Sequence, residues 1–313
     1  MFDSDDPRSA LVAPAGPGAP SARVAGPAEY AVLSDTAPAH EDGGANSWYV
    51  RAQNFIINHA ELPTGVTLAR SNQLDEYVVL LPDRDTTLSV TTIDGTQQVA
   101  GHSLLILPPG DSSVTAVSGG RLTRLFTVRA QELLTRCLNA ASYQAPKPNI
   151  SAYAPWPAPP DGYHLRVYPL DVADEPGRFG RIWRCTTFMV NYLPAQSGPR
   201  DPTKLSPHQH DDFEQASVGL DGDFVHHLRW PWTSDRCQWR ADEHTLCPSP
   251  SVTVIPPPAL HTTEAVGTGI NQLVDIFCPP RQDFSQQPGW VLNAGEYPAA
   301  SDAYADTTLR SHG

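Results

Sequence analysis

Residues 207–214, Pro-His-Gln-His-Asp-Asp-Phe-Glu, carry two histidines and a carboxylate at a spacing that suits metal binding. His208, His210 and Glu214 occupy positions i, i+2 and i+6. All offsets are even, so a β-strand would direct the three side chains to one face. Imidazoles and carboxylates are common ligands of divalent transition metals. We therefore predict that these residues form part of a metal centre.

A further histidine follows a proline-rich turn later in the chain. In Ile255-Pro-Pro-Pro-Ala-Leu-His261, the turn can deliver His261 at the start of a neighbouring strand. Three imidazoles and one carboxylate leave one or two coordination positions for water, dioxygen or a substrate oxygen. The predicted cofactor is one divalent transition metal. We expect Fe, and the ligand types also admit Mn, Ni, Co, Zn or Cu.

The composition indicates which elements position these residues. Proline (32) and glycine (22) are abundant in the 313 residues, and the charged fraction is 18%. Soluble domains average roughly 25% charged residues, so these figures argue against a helical bundle and favour short strands joined by turns. The formal net charge is −13, and no stripe of Lys and Arg is present. A nucleic-acid partner is therefore not expected.

Short apolar or alternating runs bounded by Pro, Gly and Asp predict strands in two blocks, 45–140 and 163–298. The runs lie at 54–58, 76–81, 87–93, 103–107 and 121–128 in the first block, and at 187–192, 224–229, 251–255 and 270–277 in the second. The best helix candidate is 130–138. We interpret 1–29 as a disordered arm, 141–162 as a proline-rich linker and 299–313 as a flexible tail.

The two blocks resemble each other. A shift of 148 residues aligns 103–115 with 251–263, including Ser, Pro-Pro and the final Thr. A shift of 133 residues aligns 55–58 with 188–191. We interpret this similarity as an internal duplication, with longer loops in the second copy.

With these motifs, the second block resembles the cupin superfamily. The first cupin motif, H-x-H-x3,4-E followed by a glycine, is matched by His208, His210, Glu214 and Gly222. The second motif, a proline followed by a histidine, is matched by Pro256 and His261. Pro258 replaces the turn glycine of the second motif, and Ala265 replaces its asparagine. The resemblance covers both blocks. It implies an all-β bicupin, with two tandem jelly-roll (double-stranded β-helix) barrels, a minor helix and the metal site in the C-terminal barrel.

The first block lacks the metal ligands. Aligning Glu76 with Glu214 places Arg70 and Asn72 where His208 and His210 stand, and the shift of 148 places Ser113 at His261. Arg, Asn and Ser do not form a transition-metal site. The N-terminal barrel is therefore predicted to be metal-free and structural. The alternative is that Arg70 binds a small anionic ligand.

Four residues of the second block are candidates for contact with a substrate. Tyr192 ends the strand before the metal loop, and Lys204 lies in that loop. Packing of Tyr192 and solvation of Lys204 are the alternative roles. His226 and His227 face opposite sides of a predicted strand, and an inward histidine could act as a general base. Gln215, with opposite parity to Glu214, is predicted to face outward.

Three functions are compatible with these features. The first is an Fe(II)-type oxygenase acting on a small enol, phenol or similar chelating substrate. The second is an isomerase or lyase that uses the metal as a Lewis acid on a sugar or carboxylate. The third is non-catalytic binding of a metal or small ligand. An inward proton shuttle favours the second function, and an apolar pocket favours the first.

The remaining features concern location and partners. No run of 18 apolar residues is present, and the first twenty residues lack the apolar region of a secretory signal. The five cysteines are odd in number and form no CxxC pair. These observations predict a cytoplasmic protein with reduced thiols and no membrane partner. Exposed strand edges and seven tryptophans lead us to expect a homodimer with a small-molecule substrate.

Overall fold

The computed structural model describes residues 24–300 together with Pro7. Most of the predicted arm and residues 301–313 of the predicted tail lie outside the described residues. The described chain consists mainly of short antiparallel strands with two helices of one turn each. None of its helices has the length and apolar character needed to cross a membrane.

The elements follow in chain order. The first half contains β1 (Glu29–Val32), β2 (His40–Asp42), β3 (Ala45–Arg51), β4 (Phe55–Leu62), β5 (Thr67–Gln73), β6 (Tyr77–Leu81), β7 (Thr87–Thr92), β8 (Gly95–Ala100), β9 (Ser103–Leu107), β10 (Gly110–Ala116), β11 (Gly120–Thr127), α1 (Gln131–Leu134) and a 3-10 turn (Ala140–Tyr143). The second half contains β12 (Arg166–Pro169), β13 (Ile182–Arg184), β14 (Met189–Tyr192), β15 (Gln196–Ser197), β16 (Gln215–Asp221), β17 (Asp223–Arg229), a 3-10 turn (Arg236–Gln238), β18 (Glu243–Pro248), β19 (Ser251–Ile255), β20 (Leu260–Ala265), β21 (Ile270–Phe277) and α2 (Gln282–Ser285).

These strands form two jelly-roll barrels, each built from one large and one small sheet. In the N-terminal barrel, the sheet β12-β9-β6-β11-β4-β3-β2 faces the sheet β5-β10-β7-β8. In the C-terminal barrel, the sheet β1-β19-β16-β21-β14-β13, with β15 beside β21, faces the sheet β18-β17-β20. The predicted all-β fold of two tandem barrels is therefore confirmed. Every predicted strand run contains a strand, whereas the helix predicted at 130–138 is only the single turn α1.

The barrels exchange edge strands. β1 precedes the N-terminal barrel in sequence but pairs with β19 of the C-terminal barrel. β12 follows the linker and pairs with β9 of the N-terminal barrel. Ala25, inside the predicted arm, is buried and packs with Leu228 and Trp230. Residues 24–29 thus belong to the C-terminal barrel rather than to a free arm, and the exchanged strands cover two sheet edges.

The main core lies between the barrels. The outer faces of the two large sheets pack together, with Val78 and Leu125 on one side and Val218 and Val274 on the other. The interior of the N-terminal barrel is a second apolar core that includes Phe126. This packing joins the two barrels into one unit, because burial of apolar surface is the principal stabilising contribution to folding.

Candidate metal centre

A two-residue bridge places His208 and His261 side by side in the C-terminal barrel. The backbone N–H of His208 donates to the carbonyl of His261 at 2.9 Å, and the reverse bond is 2.8 Å long. Residues that face each other across an antiparallel bridge direct their side chains to the same face. The proline turn Pro256–Pro258 ends β19 and returns the chain into β20, where His261 is the second residue.

His210 completes a triad with these two residues. One ligand nitrogen from each ring lies within 4.8 Å of the others, and His210 and His261 are buried. The Nδ1 atoms of His208 and His261 lie 3.0 Å and 2.9 Å from the carbonyl oxygens of Ser206 and Ala259. An N–H at Nδ1 donates to these oxygens, which leaves the lone pair on Nε2. Both rings therefore have the tautomer that a metal ligand requires.

The environment keeps His210 neutral. Burial, followed by the charge of Arg281, lowers the pKa of His210 well below its ordinary value. Its Nε2 lies 2.8 Å from the amide oxygen of Gln215. A metal binds neutral imidazole, so the donor chemistry of the triad fits a divalent transition metal.

The structure does not bring Glu214 to the triad. Its carboxylate accepts a 2.6 Å hydrogen bond from the backbone N–H of Gln53 and a 2.8 Å bond from the hydroxyl of Tyr143. Gln53 lies in the turn between β3 and β4, so Glu214 connects the two barrels. Even spacing does not place Glu214 beside the histidines, because residues 209–214 do not form a strand and β16 begins only at Gln215.

Glu76 has the same role in the N-terminal barrel. Its carboxylate accepts bonds of 3.0 Å and 2.7 Å from the backbone N–H and hydroxyl of Thr186, in the turn between β13 and β14. The hydroxyl of Tyr297 donates to its other oxygen at 2.7 Å. We call Glu214 with its partners, and Glu76 with its partners, the two glutamate clamps. The clamps explain why the first block has this glutamate without any metal-binding histidines.

Gln215 lies inside the barrel, contrary to its predicted outward orientation. It is 3% exposed, and besides contacting His210 its amide nitrogen donates to Asp275 at 3.0 Å. The hydroxyl of Ser217 donates to the same carboxylate oxygen at 2.7 Å. Two hydrogen bonds thus connect the triad to Asp275. The motif H-x-H-x3,4-E allows three or four residues between the second histidine and the glutamate. With four residues the motif position is Gln215, so the motif itself contained a signal for this residue.

A cavity of about 370 Å³ opens beside the triad. Asp275 supplies the carboxylate among its lining residues, and Arg178 and Arg200 supply the positive charges. Phe179 and Phe224 provide apolar walls. The site therefore combines metal donors, an acid–base group and cations in one concave space, as binding sites for small molecules commonly do.

Two of the four substrate-contact candidates lie away from this cavity. Tyr192 is buried, packs edge-to-face against His102 and lies next to the N-terminal barrel. Burial raises its pKa to about 12. Lys204 is exposed, and its backbone carbonyl accepts a bond from Arg200. Neither side chain is among the lining residues of the cavity.

The two neighbouring histidines face opposite sides of β17, as their parity predicts. His226 is buried in the interior with Nδ1 3.0 Å from the hydroxyl of Thr263, and burial lowers its pKa to about 3. His227 is on the outer face, where it contacts His244 at 2.7 Å and Glu264 at 3.0 Å. His226 is thus the candidate that lies inside the barrel, although it does not line the cavity.

Known structures share this architecture. No protein-family model and no curated protein matches the sequence. AerE from Microcystis aeruginosa matches with a TM-score of 0.51 at 9% identity, over 75% of this chain and 93% of that one. An oxalate decarboxylase from Lactobacillus farciminis, in complex with formate, matches with a TM-score of 0.52 at 12% identity, over 80% and 86%. A cupin 2 conserved barrel domain protein from Leptotrichia buccalis matches with a TM-score of 0.41 at 9% identity, over 80% and 96%.

At such low identity the first two of these similarities establish the fold and nothing about activity. The chain has the two-barrel cupin fold, which confirms the resemblance inferred from the sequence motifs. Its histidine triad lies in the C-terminal barrel. No second group of three metal-binding side chains comes together elsewhere in residues 24–300.

Proposed function

We propose that the C-terminal barrel is a metal-dependent active site for a small carboxylate-bearing substrate, with the Lewis-acid chemistry of an isomerase or lyase. The observation that carries this proposal is the position of Asp275, two hydrogen bonds from the triad and in the same cavity as Arg200. An acid–base group and a carboxylate-binding cation next to a metal site are the elements that such a reaction needs.

The donor set favours an anionic substrate. His208, His210 and His261 are neutral ligands, and the amide of Gln215 beside His210 is also uncharged. A divalent ion held by these groups keeps its full charge of +2, whereas a glutamate ligand would reduce it to +1. When bound, the metal supplies polarisation of a carbonyl or carboxylate oxygen.

Asp275 is the proposed proton carrier. Hydrogen bonds from Ser217 and Gln215 to one carboxylate oxygen fix its orientation. Because Asp275 lines the cavity, its carboxylate is the proposed group that exchanges a proton with a substrate. Positioned general bases contribute roughly 10²–10⁴-fold to rate.

Arg200 is the proposed carboxylate-binding residue. Its guanidinium donates to the backbone carbonyl of Thr263 at 3.1 Å and to the hydroxyl of Ser206 at 2.6 Å, so its orientation is fixed at the cavity wall. Its positive charge attracts a carboxylate to this part of the cavity. Arg178 lines the same cavity and adds to the positive potential.

An Fe(II)-type oxygenase is the second candidate. Three imidazoles suit Fe(II), and the apolar walls formed by Phe179, Leu193 and Phe224 would shield an enol or phenol. The charged groups in the cavity favour the Lewis-acid reaction, because an oxygenase for an apolar substrate has less use for an arginine and an aspartate.

Metal replacement combined with an oxygen electrode tests the proposal. The protein is loaded separately with Fe, Mn, Zn or Ni and incubated with hydroxy, keto and dicarboxylic acids and with enols and phenols. Turnover of a carboxylic acid without oxygen uptake supports Lewis-acid chemistry. Oxygen uptake with enols or phenols supports the second candidate, and no turnover with any metal leaves a binding protein.

The variant Asp275→Asn then separates the proton carrier from the metal site. We expect unchanged metal content and a fall in kcat of about 10²–10⁴-fold, because the amide cannot accept the proton. The matched control is Asp201→Asn, which removes the same charge from an exposed position and should retain activity. Full activity of Asp275→Asn would contradict the assigned role.

A further inference from the structure

The interior of the N-terminal barrel contains a cluster of arginines where the C-terminal barrel has its polar site. Arg70, Arg124 and Arg136 line a cavity of about 210 Å³, together with Tyr49 and Phe126. We infer that this cavity is a binding site for a small oxyanion, a carboxylate or phosphate, separate from the metal centre.

Arg124 carries the inference. It lies in β11, is 4% exposed and lines the cavity. Its Nε donates to the amide oxygen of Asn58 at 2.8 Å, and its Nη2 donates to the hydroxyl of Tyr49 at 3.3 Å. Both partners are uncharged, and Arg124 forms no ion pair with any carboxylate in residues 24–300. A buried charge without a counter-ion is costly, so an anion in the cavity would stabilise it.

The other two arginines are already paired. The Nη2 of Arg70 donates to Glu132 at 2.6 Å, and Arg136 donates to Asp42. Three guanidinium groups therefore face two carboxylates, which leaves one positive charge in excess at the cavity. A single carboxylate or phosphate group would neutralise that excess.

Aromatic rings hold the guanidinium planes in position. Both Arg70 and Arg124 lie against the ring of Phe126, with guanidinium carbons 4.9 Å and 5.3 Å from its centroid. Arg136 lies 4.6 Å from the centroid of Tyr49. Stacked, immobilised guanidinium groups bind oxyanions with little further loss of side-chain freedom.

The cavity volume limits the ligand. Sites for drug-sized molecules occupy about 300–1,000 Å³, so 210 Å³ suits phosphate, sulfate or a short dicarboxylate rather than a nucleotide. The cavity contains no histidine, which argues against a transition metal as the ligand.

Ligand-dependent thermal stabilisation of the full-length protein tests the inference. Inorganic phosphate, sulfate, oxalate and succinate are titrated separately in a chloride buffer, because a ligand of the native state raises Tm in a saturable manner. We expect saturable stabilisation by at least one of the four. The strongest ligand distinguishes a phosphate site from an organic-acid site.

Three variants locate the binding. Arg124→Gln and Arg70→Gln should each weaken binding about tenfold or more, as loss of a charged hydrogen bond does. Arg236→Gln removes the same charge from an exposed position in the C-terminal barrel and should bind like the wild type. Arg70→Gln keeps the test valid if Arg124→Gln does not fold, because Arg70 lies at the cavity edge with 12% of its side chain exposed.

Two results would overturn the inference. One is the absence of saturable stabilisation of the wild type by any of the four anions. The other is equal affinity in the wild type, Arg70→Gln and Arg124→Gln, which would place the anion elsewhere. His261→Ala should retain anion binding, so failure of the proposed metal site and failure of this anion site are distinguishable.

Discussion

The two barrels share a frame and differ in the chemistry of their interiors. Each large sheet has a glutamate immediately before one of its inner strands, Glu76 before β6 and Glu214 before β16. Each glutamate forms a clamp to a turn of the opposite barrel. The interior next to the clamp is apolar and arginine-lined in one barrel, and contains the histidine triad in the other.

The strand register shows which interior positions of the two barrels correspond. Arg124 pairs with Val79 in the N-terminal barrel, and Asp275 pairs with Ser217 in the C-terminal barrel. Val79 lies three residues after Glu76, and Ser217 lies three residues after Glu214. The two pairs therefore occupy equivalent positions. An arginine in one barrel thus replaces an aspartate in the other. The motif glutamate therefore belongs to the shared frame, and the two barrels differ in their interior side chains.

The largest expected effect comes from removing a triad histidine. His208→Ala or His261→Ala should weaken metal binding by at least about 100-fold and leave two folded barrels, because a first ligand matters more than its supporting groups. Metal content after dialysis and circular dichroism check this. Arg70→Ala, in the other barrel, is the control and should keep its metal. A histidine variant with full metal occupancy would refute the ligand set.

Gln215→Ala should have a smaller effect on the same centre. The variant loses the amide oxygen beside His210 and the hydrogen bond to Asp275. Loss of a supporting group typically reduces metal affinity 10–100-fold. Competition with a chelator measures the change. Affinity equal to that of the wild type would show that Gln215 neither binds nor orients the metal.

The clamps should affect stability and not metal content. Glu214→Gln and Glu76→Gln each leave a buried donor poorly paired, because one amide oxygen replaces two carboxylate oxygens. We expect each to lower the free energy of unfolding by about 1–3 kcal/mol. Urea titration measures the loss. A large difference between the two variants would break the proposed equivalence of the clamps.

The smallest effect concerns the pH dependence of one clamp. Burial raises the pKa of Glu214 from 4.5 to about 7, so the native protein keeps this proton over a range in which the unfolded chain releases it. The contribution of this group to stability is greatest below pH 4.5 and decreases as the pH rises to about 7. The stability difference between the wild type and Glu214→Gln should therefore be larger at pH 5 than at pH 8. Thermal melts at the two pH values measure it, and a constant difference would contradict the raised pKa.

The sequence predicts continuous apolar runs well, whereas strands of mixed or polar composition, including the buried β3 and β16, were not predicted. Runs such as 103–107 and 251–255 are buried, and their composition indicates a strand directly. β5 and β8 were not predicted, because they are largely exposed and have few apolar residues. The exchange of β1 between barrels depends on tertiary packing, which local sequence does not encode.

The sequence predicted the three histidines of the site, but it did not predict that Asp275 is the carboxylate that lines the cavity. His208, His210 and His261 follow from motif spacing alone, whereas the orientation of Glu214 depends on where β16 begins. A one-residue shift in the pairing register of β16 would exchange the faces of Gln215 and the residues that follow it. Asp275 lies in a run that reads as an ordinary strand, and only its pairing with Ser217 shows that it faces the cavity.

Metal content of the wild type and of Glu214→Gln tests the central claim most directly. Both proteins are purified without a histidine tag and analysed by mass spectrometry of the elements. We expect about one transition-metal ion per chain in both, because the triad binds it and the clamp glutamate does not. A wild type without metal, or a Glu214→Gln variant that folds but has lost its metal, would refute the proposed metal centre.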